Sequence, residues 1–317
     1  MLITVFTPAY NRAHLLPRLY ESLQRQTFHD FEWVIVDDGS TDGTKEMFKP
    51  LPPPSPVGRE PYTTNIVTFC QDSPHTGGGW RGAIRYFYQE NGGKHRAINR
   101  GVKEARGELF LILDSDDTLP PRSLELINHY YQQIRDDMSF GGVCGYMAHH
   151  DGTVIGHGCD MPVLDTNSID MEYKHHIHGD MCEVFRTEVL KEIPFPEVPG
   201  EKFVPEDLVL HRIAEKYQLR VFHEVIYYRD YLDGGLTDKI IKIRMNSPVS
   251  STTCYKELSL RHIPFVYRMK AAINYWRFYF CLPPQKNTIM TPVLSWQWYW
   301  TKPLGWLMHI NDLRKTK

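Results

Sequence analysis

Three carboxylates within four residues are the part of this sequence whose types and spacing point most directly to chemistry. Asp114, Asp116 and Asp117 follow Leu109–Leu113, a continuous apolar run of strand length. Such a strand is typical of the buried centre of an α/β sheet, and ligands bind beyond the carboxyl ends of these strands. Neighbouring acids repel one another unless a cation joins them, and hard divalent ions bind carboxylate and phosphate oxygens together. The pattern predicts a metal–diphosphate site; the alternative is an acidic surface turn that caps the next helix.

The preceding residues supply elements that would position these acids. Leu2–Phe6 is a β-branched apolar run, and it leads into TPAYNR, which we predict to be a loop. The helix that follows is predicted to carry Leu15, Leu16, Leu19 and Leu23 on one apolar stripe. Phe31–Val36 reads as a second buried strand, which ends at Asp37 and Asp38. Strands and helices that alternate at this spacing predict βαβ units and a parallel sheet.

A third strand is predicted over Ile84–Tyr88, after a proline-rich stretch, residues 49–82, that we interpret as a surface insertion. The next helix carries Lys94, His95 and Arg96 near its start. Backbone amides and the helix dipole favour an anion at that end, so the cations suit a diphosphate.

Composition and charge limit the partners and the cellular compartment that this protein could have. The chain has 317 residues, 42% of them hydrophobic, and a net charge of -2, so no polyanion-binding surface is indicated and nucleic acid is excluded as a partner. Its six cysteines lack metal-type pair spacing, and no signal peptide precedes the first strand. We therefore expect reduced thiols in a cytoplasmic protein.

Four strings, TPAYNR, VDDGSTDGT, NGGKHRAINRG and GELFLILDSDD, occur in this order, each at a predicted strand end. Together they resemble the nucleotide-sugar half of family 2 glycosyltransferases with a GT-A fold, over residues 1–120. The resemblance implies a mixed, mainly parallel sheet flanked by helices. It also implies a nucleoside diphosphate sugar donor, foremost a UDP-sugar, a Mn²⁺ or Mg²⁺ ion, and transfer with inversion to a glycan or lipid-linked acceptor.

The resemblance also assigns roles to residues. Tyr10 would stack on the base, Asp37 would accept the imide N–H of uracil, and Asp116 would bind the metal directly. The alternative for Asp37 is that it only caps the next turn. Asp117 either takes part in the metal site or holds an arginine or backbone groups behind it. The implied donor-binding residues are Thr7, Pro8, Ala9, Tyr10, Arg12, Asp37, Lys94, Asp114 and Ser115.

Beyond residue 121 the motifs are weaker. The adjacent spacing of His175, His176 and His178 does not favour a zinc cluster. By resemblance, Gly179 and Asp180 line the sugar pocket, with a structural turn as the alternative.

Glu206 and Asp207 open a predicted helix, and the helix dipole alone would explain acids there. The resemblance implies that Asp207 is the catalytic base and that Glu206 belongs to the acceptor pocket. Where the family sometimes has a further metal ligand, this chain has Arg229 and Asp230, so the third protein ligand of the metal stays open.

Composition changes near residue 240. We expect a catalytic domain over residues 1–240, with a nucleotide-sugar half, 1–120, and an acceptor half, 121–240, followed by a helical tail, 241–317. The tail is aromatic, but Lys and Arg interrupt it, so it is not transmembrane. It suits either a helix lying on a bilayer or packing against the catalytic domain or a second copy.

An inverting glycosyltransferase is the predicted function. The alternatives are a nucleotide-sugar-binding protein without turnover, or a nucleotidyltransferase with a similar acidic strand end. The presence of Asp116 and Asp207 argues against the first. TPAYNR, with one cation and no glycine, argues against the second.

Overall fold

The computed structural model describes residues 1–48, 82–156, 161–229, 236–283 and 293–315. Almost all of the proline-rich stretch lies outside these ranges, and so do Cys70, Cys159 and Asp230. The other four cysteines are free thiols.

One mixed sheet organises the described chain. Its strands are β1 (Ile3–Ala9), β2 (Phe31–Asp37), β3 (Ile84–Tyr88), β4 (Leu109–Ile112), β5 (Phe140–Ala148), β6 (Val163–Thr166), β7 (Met181–Arg186) and β8 (Gln218–Tyr228). The strand order is β3-β2-β1-β4-β7-β5-β8-β6. The pairs β3–β2, β2–β1, β1–β4 and β5–β8 are parallel, whereas β7 is antiparallel to β4 and β5, and β6 to β8. The predicted α/β class with a mixed, mainly parallel sheet is confirmed.

Helices follow most strands, and a helical tail ends the described chain. They are α1 (Leu16–Gln24), α2 (Thr44–Met47), α3 (Lys94–Glu104), α4 (Ser123–Gln132), α5 (Ser168–Tyr173), α6 (Thr187–Glu192), α7 (Glu206–Ala214), α8 (Leu236–Asn246), α9 (Pro248–Leu260), α10 (Phe265–Tyr279) and α11 (Lys302–Lys315), with a 3₁₀ helix at Trp296–Thr301. α1 buries Leu16, Leu19 and Leu23, the predicted apolar stripe.

The first strand is longer than the sequence predicts. Residues Thr7 to Ala9 were expected in a loop, but they continue β1 and pair with residues 35–37 of β2. The Thr7 hydroxyl accepts a hydrogen bond from the indole Nε1 of Trp33 at 2.9 Å, and neither side chain is exposed. Polar Thr7 is therefore satisfied inside the core, which allows the strand to extend through it.

A buried acid also lies in the sheet. Glu32, on β2, is fully buried, and its carboxylate accepts hydrogen bonds from the Thr4 hydroxyl and the Arg106 amide, each at 2.7 Å. The guanidinium of Arg85, on β3, lies 3.3 Å from the same carboxylate. A buried charge is tolerated when it is paired and hydrogen-bonded in this way.

The chain divides into two compact units that alternate along the sequence. The first comprises Met1–Thr166, Ile177–Glu192 and Tyr217–Asp230, and the second Asn167–His176, Ile193–Lys216 and Tyr231–Lys317. The first unit holds the sheet. The second holds α5, α7 and the tail helices, where Tyr275, Trp276 and Trp298 form part of a buried cluster. The domain boundaries predicted near residues 120 and 240 remain a prediction.

None of the helices in the described ranges is long and apolar enough to span a bilayer.

Candidate functional site

The carboxyl ends of β1, β2 and β4 meet at one edge of the sheet, because these neighbouring strands are parallel. The loops after β1 and β2 are joined there: the Asn11 amide donates to the Ser40 hydroxyl, and the Asn11 side chain accepts from the Thr41 amide, both at 2.8 Å. Asn11 has a φ of 54°, a left-handed conformation that asparagine tolerates better than most residues. These contacts hold the loop that carries Tyr10 and Arg12.

Tyr10 and Arg12 are the residues of TPAYNR whose side chains remain available. The Tyr10 ring is 50% exposed. Within the described ranges, Tyr10 makes no ring contact and the guanidinium of Arg12 makes no ion pair. An exposed ring beside a cation suits a base and a phosphate. Thr7 and Ala9, by contrast, are buried, and Ala9 contributes its carbonyl to the amide of Asp38 at 2.8 Å.

Asp37 lies inside the protein at the end of β2, and its role in reading a uracil stays a prediction. Asp37 is fully buried, and its two carboxylate oxygens accept from the Ser40 amide at 2.8 Å and from the Tyr86 hydroxyl at 2.5 Å. Burial, together with the Asp37 carboxylate, raises the pKa of Tyr86 well above its ordinary value, so this hydroxyl keeps its proton and donates it. The geometry favours the alternative that the sequence left open, a carboxylate that stabilises the turn after β2.

Asp38 has a structural role of its own. Its carboxylate accepts from the amides of Gly92 and Gly93 at 2.8 and 2.7 Å, and from the side-chain amide of Gln89 at 2.8 Å. These are the groups that precede α3. The anion expected at this helix start from a bound diphosphate is therefore supplied, at these two amides, by the protein itself.

Asp114 and Lys94 are brought together, as the sequence predicts for residues near one ligand. The Lys94 ammonium lies 2.8 and 2.9 Å from the two carboxylate oxygens of Asp114, and both side chains are about one-third exposed. A pair this exposed is screened by water and adds little to stability. Both groups therefore remain accessible to a ligand at the end of β4.

Asp117 is buried behind the edge. Its carboxylate accepts from the Tyr227 hydroxyl at 2.8 Å, and the Tyr227 oxygen in turn accepts from the Asp114 amide at 3.0 Å. Burial and the charges of Asp114 and Asp116 together raise the pKa of Asp117 to about 7, although the hydrogen bond from Tyr227 and the charge of Arg229 oppose the rise. Tyr227 thus fixes the backbone of the acidic turn from a strand more than a hundred residues away.

Asp116 differs from both neighbours. Its carbonyl oxygen accepts from the guanidinium of Arg18, which holds the backbone. Its carboxylate, partly exposed, forms no ion pair or hydrogen bond with any part of the chain that the structure describes. The backbone of Asp116 is therefore held in place, while its carboxylate stays available to a ligand. Ser115, between the two exposed acids, is 5% exposed.

Gly179 and Asp180, which are predicted to line the sugar pocket, each contact another residue of the first unit. The Asp180 carboxylate accepts from the Arg229 guanidinium at 2.8 Å. Gly179 has a φ of +116°, and a Cβ there would lie 2.5 Å from the Cα of Gly156. A side chain at residue 179 would not fit against this neighbouring backbone, so glycine is required here for a structural reason, which is the alternative that the sequence left open.

Glu206 and Asp207 lie in the first turn of α7, as predicted, in the second compact unit. Asp207 is 60% exposed, and one of its carboxylate oxygens lies 4.0 Å from the Arg244 guanidinium. Exposed acids at a helix start are stabilised by the dipole. The catalytic role of Asp207 stays a prediction.

The chemistry of the acidic turn fits a hard divalent cation, because its donors are carboxylate oxygens. The described residues contain no cluster of three or more His, Cys, Asp or Glu side chains that could hold a metal by themselves. Among the described residues, Asp116, with its open carboxylate, and Asp114 are the ones that could bind such an ion, and the third protein ligand stays open.

Sequence reasoning missed Tyr227, Tyr86 and Arg18. Each acts through contacts between residues far apart in the chain, and no local pattern marks them.

The sequence profile of Glycosyl transferase family 2 matches residues 4–193, which is more than half of the chain. The chain belongs to glycosyl transferase family 2. The resemblance seen in its four strand-end motifs is thereby confirmed.

Known proteins extend this result. Glycosyltransferase GlyG of Streptococcus pneumoniae is 30% identical over 146 residues, 46% of this chain and 40% of that protein. The chain spans less than half the length of the curated relatives it matches.

Solved structures that share the fold include the following two. S. aureus TarS 1-349 in complex with UDP-GlcNAc has a TM-score of 0.53 and 18% identity, over 95% of this chain and 79% of that one. Mannosyltransferase PcManGT from Pyrobaculum calidifontis, in complex with GDP-Man and Mn²⁺, has a TM-score of 0.52 and 17% identity, over 96% and 73%.

Proposed function

We propose that this chain transfers a sugar from a nucleoside diphosphate sugar, foremost a UDP-sugar, to a hydroxyl of a glycan or lipid-linked acceptor, with inversion at the anomeric carbon. The observation that carries the proposal is the open carboxylate of Asp116 at the end of β4, between Lys94-paired Asp114 and buried Asp117. Membership of glycosyl transferase family 2 supports the reaction class.

The donor would lie along the strand-end loops. Tyr10 stacks on the base, a contact worth about 1–3 kcal/mol where base–aromatic stacking has been measured. Arg12 and Lys94 face the diphosphate, and Asp114 and Ser115 the ribose. Since Asp37 is buried, base selectivity rests on the shape of the loop around Tyr10, and uridine is preferred on the family resemblance. The structural neighbours carry UDP-GlcNAc and GDP-Man, so both bases require testing.

Asp116 would hold Mn²⁺ or Mg²⁺, with Asp114 beside it. A bound ion supplies neutralisation of the charge that develops on the departing diphosphate. Tyr227 keeps the acidic turn in place by accepting from the Asp114 amide and donating to Asp117. Gly179, Asp180 and Glu206 are proposed on the sugar and acceptor side.

Asp207 would remove the proton of the attacking hydroxyl. In an inverting transfer the hydroxyl oxygen bonds to the anomeric carbon as the diphosphate leaves from the opposite face, so the hydroxyl proton must go to a base. A carboxylate at the exposed start of α7 has the chemistry for this step. We place the reaction in the cytoplasm, the location that the sequence predicts.

A panel of UDP- and GDP-sugars tests the donor assignment. Each would be added with and without Mn²⁺, and both melting temperature and release of the nucleotide would be measured. A donor at a hundred times its dissociation constant stabilises the fold by about 2.7 kcal/mol. We expect stabilisation and slow hydrolysis with UDP-sugars that require the metal. Binding without hydrolysis or transfer to any acceptor would indicate a binding protein.

Substituting Asp207→Asn tests the base. The amide keeps the shape of the side chain but cannot accept the proton, so transfer should fall by about 10²- to 10⁴-fold while donor affinity is unchanged. Asp170→Asn, in the first turn of α5 of the same unit, is the matched control. If Asp207→Asn lowers only the melting temperature and transfer stays near normal, Asp207 stabilises a helix and is not the base.

A further inference from the structure

The tail of the second unit leaves a large apolar surface uncovered. It comprises two neighbouring elements, the 3₁₀ helix and α11. We call it the aromatic tail surface, and it consists of Trp296, Tyr299, Trp300, Leu304, Trp306 and Leu307. Trp296 is 84% exposed, and Leu307 57%. Scattered exposed apolar residues need no explanation, whereas six large ones on two consecutive elements, three of them tryptophans, indicate an interaction site.

These side chains are exposed because α11 uses its other face to pack. A Cβ on Gly305 would lie 2.4 Å from the Cβ of Trp276, so α10 and α11 approach closely at this point. Further along the same face, buried Asp312 accepts from the guanidinium of Arg277. Successive helix residues are about 100° apart, so Leu307 points roughly opposite to Gly305. The helix thus turns an apolar face away from its own core.

Charge distinguishes among the surfaces that could cover this face. Residues 293–315 contain three exposed cations, Lys302, Arg314 and Lys315. The one acid of this range, Asp312, is 3% exposed and neutralised by Arg277. The exposed charge of the segment is therefore entirely positive. Such a surface fits an anionic partner that is also apolar.

A bilayer with anionic headgroups has both properties. Tryptophan and tyrosine favour the headgroup level, and leucine reaches the acyl boundary. Lysine and arginine, meanwhile, bind lipid phosphates. Since no helix in the described ranges is long and apolar enough to span, contact would be along the surface. We propose that the aromatic tail surface docks this protein on an anionic lipid bilayer, with Arg314 and Lys315 at the headgroups.

The test uses the full chain and vesicles of phosphatidylcholine, with or without phosphatidylglycerol, in a sedimentation assay. We expect the protein to pellet with the anionic vesicles and to remain largely in solution with phosphatidylcholine alone. The tryptophan emission should shift to shorter wavelength only in the first case. Failure of the protein to pellet with anionic vesicles at low salt overturns the proposal.

Two variants separate apolar insertion from charge. Trp296→Ser combined with Trp300→Ser should lower vesicle association at least tenfold, because the exposed rings no longer enter the headgroup region. Arg314→Gln combined with Lys315→Gln leaves the apolar residues intact and should lower association with anionic vesicles at least about fivefold. Met138→Ser is the control, since Met138 is 70% exposed in the first unit and should leave binding unchanged.

If the tryptophan variant does not fold, the charge variant decides alone. Unchanged binding of either folded variant overturns the proposal. So does a lipid-free dimer, detected by sedimentation velocity, that the tryptophan substitutions convert to a monomer, because the surface would then join two copies of the chain.

Discussion

Two acidic clusters follow two parallel strands of this sheet, and their surroundings are opposite. Asp37 and Asp38, after β2, are buried, and their carboxylates accept hydrogen bonds from the protein. After β4, Asp114 is paired at the surface and Asp116 has an open carboxylate within the described chain. The same sequence pattern thus produces a structural cluster at one strand end and a ligand-accessible cluster at the next. Both clusters consist of aspartates. They differ in whether the carboxylates accept hydrogen bonds from the protein.

The cause lies in what surrounds each turn. Gly39, with a φ of +85°, approaches Asn91 so closely that a Cβ would lie 2.8 Å from its amide nitrogen. The segment before α3 therefore brings backbone amides against Asp38. The turn after β4 is contacted by Tyr227, by Lys94 and, at the Asp116 carbonyl, by Arg18. The Asp116 carboxylate is left without a donor among the described residues.

The largest expected effect comes from the open cluster. Asp116→Ala should lower metal-dependent transfer by at least about 100-fold, since loss of a metal ligand costs at least as much as loss of a supporting group. The melting temperature should not fall, because the substitution removes a carboxylate with no partner and relieves repulsion on Asp114 and Asp117. Initial rates at several Mn²⁺ concentrations measure the effect.

Asp136→Ala, an exposed acid before β5, is the control for that variant and should leave the rate unchanged. Normal transfer by Asp116→Ala would erase the contrast between the clusters. The acidic turn after β4 would then be a second structural cap.

The buried cluster should respond in stability. Asp38→Ala leaves the amides of Gly92 and Gly93 without their acceptor, so we expect the free energy of unfolding to fall by about 1–3 kcal/mol. Urea unfolding measures this loss. If the variant is as stable as the parent but has lost transfer activity, Asp38 acts in the reaction and does not stabilise the fold.

The smallest effect is expected for Asp37→Asn, which keeps the shape of the side chain. Its amide can no longer accept from both Ser40 and Tyr86, and a loss of about 1 kcal/mol of stability should follow. Affinities for UDP and GDP, measured by calorimetry, should change by the same factor. Selective loss of UDP binding would restore the role in base recognition that the family resemblance implies.

Much of the fold could be predicted because the spacing of apolar residues along the sequence indicates which side chains are buried. The run Leu109–Leu113 predicts a strand, and the structure has one over Leu109–Ile112. Three of the four leucines of the predicted stripe are buried on α1, and α3 begins at Lys94, as the local pattern predicts. The end of β1 was misplaced because Thr7 and Pro8 resemble loop residues. Pairing with β2 and the indole of Trp33 override that local preference.

The site and the roles of its residues stay predictions, but the structure shows what these residues contact. Lys94 and Asp114, both assigned to the donor by resemblance, form an ion pair. Asp37 reads as a ligand in the sequence because its partner Tyr86 lies 49 residues away. The anchor of the acidic turn, Tyr227, is separated from Asp117 by 110 residues. Contacts over such distances depend on strand order, which local patterns do not encode.

The pairing of Arg85 with Glu32 also bears on aggregation of this protein at high concentration. Among the described strands, β3 lies at an edge of the sheet, and edge strands offer unpaired backbone groups to strands of other molecules. Arg85 points a charge inward from that edge, where a strand added from another molecule would have to accommodate it. β6, at the other edge, is four residues long. A charge buried in the core and a short border strand thus act together against edge-to-edge aggregation.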